Sequence, residues 1–415
     1  MGDNSKRLKP AVILSTHTIG TGLMRALGPH GIDIIAVYYD KRDMGYVSKY
    51  ALQRLLAPNP EKFPEQFIDV LVRCAEKHAG GILIPADDAT LVIASKFKDL
   101  LSAHYTVACP EWPVVQCFID KKYTYQLAQE IGIQIPKTLF AATLTEAEKY
   151  AESVRYPCLV KPCQSHLYFE HFRRKMSKVY SAEQLLAEYK SAMSAGFDVL
   201  LQEYIPGPDC DGINYNCYFW DGRPLVEFTA EKVRLYPPDS GVPAVVISKH
   251  CPEVFEPGRR ILRALGFYGY CCCEFKKDIR DGTYKLMEIN GRHNRSLMLA
   301  VKCGLNFPLM EYEHLLYGKK PLQKDYKEGV YWIDLSRDIA TAVMYLRRHE
   351  ISLRAFFRPY FNKHVFAIFS IRDLIPFAKR CVDILKLIIR KLFTKVVRRR
   401  KMISETDKQA SKQTA

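Results

Sequence analysis

The stretch Leu286–Ser296 reads LMEINGRHNRS. As a β-strand it would divide its side chains between two faces, with Leu286, Glu288, Asn290 and Arg292 on one and Met287, Ile289 and Gly291 on the other. The second face is apolar and suits a protein core. The first face presents an acid, an amide and a base in order, so we interpret it as a binding surface rather than an ordinary solvent-facing row.

The preceding strand adds a second acid. The segments YCCCEFKKD (270–278) and YKLMEIN (284–290) flank a five-residue loop that contains Asp-Gly, which predicts a β-hairpin. In the expected register Glu274 lies opposite Glu288, and Lys276 lies opposite Leu286. Two carboxylates that face each other across a sheet repel, and a cation between them would relieve the repulsion.

Oxygen ligands of this kind favour a hard divalent cation. Carboxylate and amide oxygens suit Mg²⁺ or Mn²⁺, so Glu274, Glu288 and Asn290 are the predicted metal ligands. Arg292, one step further, could clamp a transferring phosphoryl group. The alternative is a solvated polar face on which these residues meet by chance.

The N-terminal part of the chain predicts a parallel α/β layer. Short apolar strands at 11–15, 32–40 and 81–85 are separated by helical patterns. Gly20-Thr21-Gly22 follows the first strand, but Arg25 stands where a dinucleotide fingerprint has its third glycine, which disfavours NAD binding. Antiparallel-looking segments dominate later in the chain, so the overall class is α/β followed by α+β.

Two further strand ends carry polar groups of interest. Lys161 is the lone charge in the apolar segment CLVKP and is a candidate phosphate ligand, or else a surface lysine. In LLQEYIPG, Gln202 and Glu203 stand where an apolar strand turns, and such a segment can present its backbone to a purine edge. Asp209 or Asp211 could then reach a ribose hydroxyl.

Five motifs in order resemble the ATP-grasp superfamily: Asp120-Lys121, LVKP, QEYIPG, CEFK and MEINGR. The resemblance covers roughly residues 10–315. The opening VILSTHTIGTGLMRAL, the PADD at 85–88 and the segment KVRLYPPDSGV (232–242) resemble, more loosely, the carboxylate–amine ligase group that includes D-aspartate ligases. Where the family has EINPR, this chain has EINGR, with Gly291 in place of proline.

The resemblance implies a Rossmann-like pre-ATP-grasp domain (1–115), then a two-subdomain ATP-grasp fold (116–320) that sandwiches ATP. An accessory region (321–376) and a C-terminal helical extension (377–415) would follow. Implied nucleotide ligands are Lys121 and Lys161 for phosphates, Gln202, Glu203, Tyr204 and Ile205 around adenine, and Asp209 for ribose. Glu274, Glu288 and Asn290 would hold Mg²⁺ (or Mn²⁺), and Arg292 would stabilise the transferring phosphate.

The implied reaction joins a small-molecule carboxylate to an amine through an acyl phosphate, with release of ADP and phosphate. A cell-envelope precursor is one candidate substrate, and a homodimer is one candidate assembly. Two other activities stay open on the same fold: a catalytically inactive nucleotide sensor at the membrane, and a kinase of a small molecule. The intact charged row favours a working ligase.

The segment 163–181 departs from the family. ATP-grasp proteins often cover the phosphates with a glycine-rich loop, whereas CQSHLYFEHFRRKMSKVYS contains no glycine. Backbone amides cradle phosphate most easily where the torsions are permissive. The alternatives are a solvated lid, or side-chain charge supplied by Arg173, Arg174, Lys175 and Lys178.

The charge of the chain is concentrated near its C-terminus. The net charge is +16, and the segment 379–401 contributes +9 with ten lysines and arginines against one aspartate. Apolar residues recur there at helical spacing, at Val382, Leu385, Ile389, Leu392 and Val396. This basic amphipathic helix (377–401) predicts binding to an anionic membrane surface; packing on the protein body and nucleic-acid contact are the alternatives.

The sequence predicts a cytoplasmic protein, either free or peripheral at the inner face of the cell membrane. The polar start MGDNSKRLKP predicts no signal peptide, and no apolar run reaches the length of a membrane span. Thirteen cysteines without a CxxC pair predict buried thiols rather than disulfides. We expect no nucleic-acid partner, because neither aromatic–basic interleaving nor a helix-turn-helix pattern stands out.

Overall fold

A computed structural model of the chain describes residues 8–239 and 241–390. Its first layer is a parallel five-stranded sheet whose three central strands are short apolar runs, almost completely buried, and whose edge strand Ala51–Leu56 has every second residue exposed. The strands are β1 (Ala11–Leu14), β2 (Ile34–Tyr38), β3 (Ala51–Leu56), β4 (Ile82–Pro85) and β5 (Thr106–Val107). The order β3-β2-β1-β4-β5 makes β1 and β4 neighbours, so their carboxyl ends open at one edge of the sheet.

Helices connect these strands and lead into the rest of the chain. The first four are α1 (Thr18–Leu27), α2 (Pro64–His78), α3 (Asp88–Lys96) and α4 (Lys98–Ser102). Two more, α5 (Trp112–Ile119) and α6 (Lys121–Glu130), follow the sheet. Both α1 and α3 begin at the carboxyl edge of the sheet, and Asp87 caps α3 through its side chain.

The second layer is a small antiparallel sheet. Its strands, in the order β6-β9-β7-β8, are β6 (Thr138–Leu139), β7 (Cys158–Pro162), β8 (Ser177–Val179) and β9 (Val199–Glu203). Three helices belong to it: α7 (Leu144–Ser153), α8 (Ser165–Phe172) and α9 (Ala182–Ser194). The glycine-free segment 163–181 therefore contains a helix and a strand.

The third layer is a seven-stranded sheet in the order β14-β13-β10-β11-β12-β15-β16. Its strands are β10 (Gly212–Trp220), β11 (Arg223–Tyr236), β12 (Val242–Ser248), β13 (Gly269–Lys277), β14 (Tyr284–Asn290), β15 (Tyr331–Ile333) and β16 (His364–Phe366). Cys271 and Cys273 enter one core and Cys272 enters the other. All thirteen cysteines are free and ten are buried, as the sequence predicts.

Helices cover this sheet and extend beyond it. They are α10 (Phe255–Ala264), α11 (Leu297–Cys303), α12 (Phe307–Tyr317), α13 (Leu335–Arg347), α14 (Leu353–Phe361) and α15 (375–390). Because β15 and β16 extend the main sheet, the region after residue 320 is continuous with it. Within the described residues no helix is both long and apolar enough to cross a bilayer.

The helix α15 leaves the protein body along its length. Phe377 packs against the core, whereas every residue from 385 to 390 is exposed. Val382, Leu385 and Ile389 of the predicted apolar stripe are each about half exposed, at 49, 57 and 54%. Leu392, Val396 and the other residues from 391 onward lie outside the described residues.

Candidate active site

A central cleft of about 410 Å³ lies between the second and third sheets and reaches the carboxyl edge of the first. Seven of the eleven predicted site residues line it: Lys121, Lys161, Asp209, Glu274, Glu288, Asn290 and Arg292. The side chains of the other four, Gln202 to Ile205, do not. The topology thus brings together residues that are up to 171 positions apart between Lys121 and Arg292.

The hairpin β13–β14 supplies the acids. Glu274 pairs directly with Glu288, which is the predicted register at this point. Beyond that pair a β-bulge adds Met287 to β14, so Lys276 lies opposite Lys285 and the predicted pairing of Lys276 with Leu286 is wrong. A bulge shifts the register by one residue and moves the following side chains to the other face.

The bulge also corrects the predicted faces of β14. Leu286 was expected on the polar face, but it is fully buried in the core together with Ile289. Met287 was expected in the core and instead lines the cleft beside Glu288. The polar row in the cleft therefore consists of Glu288, Asn290 and Arg292, with Met287 as its apolar neighbour.

A lysine neutralises each acid. The Lys121 ammonium lies 2.8 Å from Glu288 Oε1, and Lys232 on β11 forms a salt bridge with Glu274. Desolvation would raise the pKa of Glu288, but the charge of Lys121 lowers it below its ordinary value. Desolvation would likewise lower the pKa of Lys232, but Glu274 raises it. Glu288 and Lys232 are therefore held in their charged forms.

Arg292 is held at the edge of the first sheet. Its Nε donates to Asp88 Oδ1 at 2.6 Å, and its Nη2 donates to Asn290 Oδ1 at 3.2 Å. Burial would lower the pKa of Arg292, but Asp88 raises it, so the guanidinium stays charged. Asp88 opens α3 and is the last residue of the PADD segment, so the N-terminal layer directly orients the predicted catalytic arginine.

Glycine at position 291 has a packing reason. A Cβ there would lie 2.3 Å from the Phe118 ring, closer than real contacts allow. Phe118 belongs to α5 and is buried in the core. A residue with a Cβ at position 291, such as the proline of EINPR, would therefore collide with the Phe118 ring.

Lys161 is positioned from two sides. Its Nζ donates to Gln202 Oε1 at 3.0 Å and lies 3.4 Å from the Tyr125 hydroxyl, while only 8% of the residue is exposed. Gln202 is itself fixed by donation to Thr138 Oγ1 at 2.8 Å. Tyr125 donates to the Met287 carbonyl at 2.7 Å, which ties α6 to the bulge of β14.

The turn after β9 has its side chains committed within the protein. Glu203 accepts from Arg280 at 3.0 Å and from Lys285 at 3.2 Å. Ile205 is buried, and Lys178 lies 3.7 Å from the centroid of the Tyr204 ring. Any contact of this turn with a ligand would therefore come from its backbone.

Asp209 reaches the cleft from the loop before β10. Its carboxylate accepts from the backbone N–H groups of Leu235 at 3.2 Å and Asp239 at 3.1 Å. The hydroxyl of Tyr345, on α13, donates to the same carboxylate. The C-terminal region thus helps to position a residue of the cleft.

The basic residues of segment 163–181 have separate surroundings. Lys175 lines the cleft, so it is the one that faces the predicted phosphate position. Arg174 forms a salt bridge with Glu188, and Lys178 stacks on Tyr204. Arg173 ends α8 in the left-handed conformation at φ 57°.

The acids fit a divalent cation. Two carboxylates face each other and the Asn290 amide lies beside them, with its Nδ2 3.2 Å from Glu274 Oε1. Within the described residues no group of three His, Cys, Asp or Glu side chains could hold a metal. An ion at this hairpin would therefore need the amide oxygen, water or a phosphate oxygen as additional ligands, which is the coordination that Mg²⁺ prefers.

Two charged residues that hold predicted site residues in place, Asp88 and Lys232, were not themselves predicted as site residues. Both lie in segments that support the resemblance, PADD and KVRLYPPDSGV. Their place in these segments is the feature of the sequence that could have identified them as site residues. Lys232 reaches Glu274 because β10 lies between β11 and β13, and this strand order cannot be read from the spacing of the residues.

Comparison with known proteins supports the fold. No protein-family model matches the chain. The D-aspartate ligase of Enterococcus faecium is 24% identical over 282 residues, which are 63% of this chain and 66% of that protein. The chain thus spans just under two thirds of that relative's length.

Two solved structures extend the comparison. A biotin carboxylase–nucleotide complex from Campylobacter jejuni has a TM-score of 0.64 at 18% identity, covering 79% of this chain and 75% of that one. An L-amino acid ligase from Bacillus licheniformis has a TM-score of 0.58 at 16% identity, covering 75% of each chain. These likenesses confirm the predicted fold class and the predicted resemblance.

Proposed function

We propose that this chain, which has the ATP-grasp fold and a sequence similar to a D-aspartate ligase, is an ATP-dependent carboxylate–amine ligase. The observation that carries the proposal is the charged row of the cleft: Glu274 opposite Glu288, each neutralised by a lysine, with Arg292 oriented by Asp88. An ordered set of ionised groups at one hairpin suits phosphoryl transfer, in which catalysis is mainly positioning and charge stabilisation.

The proposed reaction has two steps. A substrate carboxylate oxygen attacks the γ-phosphorus of ATP, and the bond to the β–γ bridging oxygen breaks to release ADP. An amine then attacks the carbonyl carbon of the acyl phosphate, phosphate leaves, and the amine nitrogen loses a proton. An amide bond is formed for each ATP converted to ADP and phosphate.

The residues of the chain have assigned parts in this reaction. Lys121 and Lys161 bind phosphate oxygens, and Arg292 stabilises the charge on the transferring phosphoryl group. Lys175 adds side-chain charge from the segment that lacks glycine. The backbone of 202–205 borders adenine, and Asp209 accepts from a ribose hydroxyl.

A divalent cation, Mg²⁺ or Mn²⁺, would be held by Glu274, Glu288 and Asn290. When bound it neutralises charge on the phosphates. Lys121 and Lys232 are the groups that balance the two carboxylates within the protein, so they would adjust their contacts as the cation enters.

One assay separates this proposal from its alternatives. Purified protein is incubated with Mg-ATP and a panel of amino acids and cell-envelope precursors, with each carboxylate tested with and without each amine. Phosphate release that needs both partners supports the ligase. A phosphorylated product formed without an amine supports a small-molecule kinase, and nucleotide binding without turnover across the panel supports a sensor.

The domain limits and assembly remain part of the proposal. We assign the pre-ATP-grasp domain to 1–115, the ATP-grasp domain to 116–320, the accessory region to 321–376 and the basic extension to 377–415. A homodimer stays a prediction, which light scattering during gel filtration can test.

We also propose that α15 binds an anionic membrane surface at the inner face of the cell membrane. The apolar residues Val382, Leu385, Ile388 and Ile389 are 48–57% exposed on one side of the helix. Lys386 and Arg390 lie on the other side by helical spacing, together with the exposed Leu387, whereas Lys379 pairs with Asp383. Exposed apolar residues beside clustered bases are the features of an interfacial helix.

Flotation with liposomes tests the membrane proposal. The full-length protein should float with vesicles that contain phosphatidylserine and should not float with neutral vesicles. The double variant Leu385→Glu/Ile389→Glu should lose binding, whereas Leu322→Glu, at a position that is 75% exposed elsewhere, should keep it. Equal flotation of all three proteins would show that α15 is not the contact.

A further inference from the structure

Three arginines form a cluster behind the part of the cleft that Arg295 lines, and we call this cluster the arginine corner: Arg295, Arg337 and Arg380. Arg295 follows the polar row of β14, Arg337 lies in the first turn of α13, and Arg380 lies on α15. Arg295 and Arg337 share one carboxylate, that of Asp334. Arg295 Nη2 lies 3.2 Å from Asp334 Oδ2, and Arg337 forms a salt bridge with the same oxygen.

The corner has more positive than negative charge. Asp334 is the carboxylate that pairs with Arg295 and Arg337, and within the described residues no salt bridge involves Arg380. Asp334 is also committed to the N-terminus of α13, where it accepts from Ser336 Oγ at 2.9 Å. Burial and then the charges of Arg337 and Arg380 lower the pKa of Arg295 to about 10, against the opposing effect of Asp334.

Two donors in the corner point at no acceptor. The Nε atoms of Arg295 and Arg380 are buried and have no hydrogen-bond partner within 8–239 and 241–390. Buried donors in folded proteins are almost always satisfied, and a guanidinium cannot remove the mismatch by losing its proton at neutral pH. A bound anion would supply both the missing acceptors and the missing charge.

The corner opens onto the cleft. Arg295 lines it together with Arg292, Asn294 and Ser296. Arg295 Nη2 also donates to Thr18 Oγ1 at 3.0 Å, at the start of α1. The corner therefore borders the carboxyl edge of the first sheet, and two of its three arginines come from the chain beyond β15.

We propose that the arginine corner binds a carboxylate or phosphate group of the substrate that does not itself react. That this anion is part of a substrate rests on the proposed function. It narrows the substrate class to molecules with an anionic group in addition to the reacting carboxylate or amine. It also makes α13 and α15 part of substrate recognition.

Calorimetry on the full-length protein tests this inference. Succinate, inorganic phosphate and acetate are titrated in the presence of saturating MgADP, so that the nucleotide phosphate position is filled. The wild type should bind succinate or phosphate more tightly than acetate. Preference between the first two distinguishes a carboxylate-bearing from a phosphate-bearing substrate.

Variants of the arginine corner test whether the anion binds there. Arg337→Ala and Arg380→Ala should each weaken binding of the preferred anion at least tenfold, and Arg337→Lys should restore part of it. Arg347→Ala removes an exposed arginine from the same helix and should leave binding unchanged. No binding to the wild type, or equal binding to wild type, Arg337→Ala and Arg380→Ala, would overturn the inference.

Two controls keep the result interpretable. MgADP affinity and Tm show whether each variant is folded, and Arg380→Ala answers the question if Arg337→Ala does not fold. Anion binding is measured without turnover, so the two proposals can fail separately. If the variants lose anion binding and the wild type never forms ADP, the arginine corner binds an anion but the protein is not a ligase. If the wild type forms ADP and every variant binds the anion as the wild type does, the ligase proposal stands and the arginine corner is not the anion site.

Discussion

The charged hairpin and the arginine corner lie on the same cleft but balance their charges differently. On the hairpin, Glu274 and Glu288 each have a lysine partner, and Arg292 has Asp88. In the corner, Arg295 and Arg337 share one aspartate, and Arg380 has no salt bridge to any residue that the structure describes. The hairpin is electrostatically complete within the protein, whereas the corner is not.

This difference separates two kinds of binding site. A balanced row keeps its groups ionised and oriented before ligands arrive, and its internal partners can be exchanged for a cation or a phosphate. An unbalanced cluster of arginines must obtain its counter-charge from outside, because arginine stays protonated at neutral pH. The first arrangement suits chemistry, and the second suits recognition.

The largest expected effect is on the balanced row. Replacing Glu288 with Gln should lower the rate of ADP formation by about 10³-fold or more, because the proposed metal ligand would contribute several kcal/mol to the transition state. The fold should persist, since Gln can still accept from Lys121. Coupled-enzyme measurement of ADP, with circular dichroism for the fold, checks this.

Glu65→Gln is the matched control for that variant, because Glu65 is an exposed acid on α2. It should keep wild-type activity. Wild-type turnover by Glu288→Gln would mean that the hairpin does not hold the catalytic metal. The hairpin could then no longer be distinguished from the arginine corner as the site of chemistry.

The next effect tests the phosphate side of the cleft. Lys161→Met should lower kcat/KM for ATP about 10²-fold, comparable to the loss of one preorganised donor. Steady-state kinetics at varied ATP measures it, with the exposed Lys190→Met as control. If kcat/KM for ATP stays unchanged, Lys161 is only a partner of Gln202 and Tyr125.

Much of the hairpin could be predicted from the sequence, and little of the corner could. Loop length alone sets Glu274 opposite Glu288, because the register of a hairpin follows from its turn. The bulge at Met287 has no signal in the residues, so Leu286 and Met287 were assigned to the wrong faces. Lys232 required the strand order of the third sheet.

The corner combines residues that no local pattern connects. Arg295, Arg337 and Arg380 are 42 and 43 positions apart in sequence, and they meet only because β15 joins the sheet and α15 returns to the first layer. Helical spacing did predict the apolar stripe of α15. It could not predict that the preceding turn of the helix carries Arg380 close enough to Arg295 for its charge to lower the pKa of Arg295.

The free energy of unfolding should respond differently to the loss of a cation at the hairpin and at the arginine corner. Lys232→Met should lower the free energy of unfolding by roughly 1–3 kcal/mol, between the values for exposed and buried ion pairs, because it leaves Glu274 facing Glu288 with one cation fewer. Arg380→Gln removes a charge from a cluster with excess positive charge, so it should leave stability within about 0.5 kcal/mol of the wild type. Urea unfolding compares the two.

Added Mg²⁺ identifies the cause of the loss. It should restore part of the stability of Lys232→Met, since a divalent ion can replace the missing charge between the carboxylates, and it should not affect Arg380→Gln. Equal losses in both variants, insensitive to Mg²⁺, would mean that the hairpin and the corner are balanced in the same way.

The smallest effect concerns Asp43, a half-buried acid that accepts hydrogen bonds from Thr16 and has no salt bridge to a residue that the structure describes. Burial is the main cause that raises its pKa to about 7, with Asp40 and Asp87 adding to it, while hydrogen bonds from Thr16 oppose the rise. Unlike the arginines of the corner, an acid can remove its unmatched charge by binding a proton. A raised folded-state pKa means that Asp43 stabilises the fold fully below pH 4 and loses this contribution as the pH rises toward 7.

Asp43→Asn should therefore flatten the pH dependence of Tm between pH 4 and 7. The wild type is expected to lose roughly a few degrees relative to the variant over that range, a small shift because Thr16 already favours the charged form. Differential scanning calorimetry at matched ionic strength measures the difference, and Asp69→Asn, on the outer surface of α2, corrects for general charge effects. Parallel pH profiles for the wild type and Asp43→Asn would show that Asp43 is ionised throughout. The surroundings of Asp43 would then have to supply a counter-charge. That result would contradict the view that an unpaired acid binds a proton whereas an unpaired arginine requires a ligand.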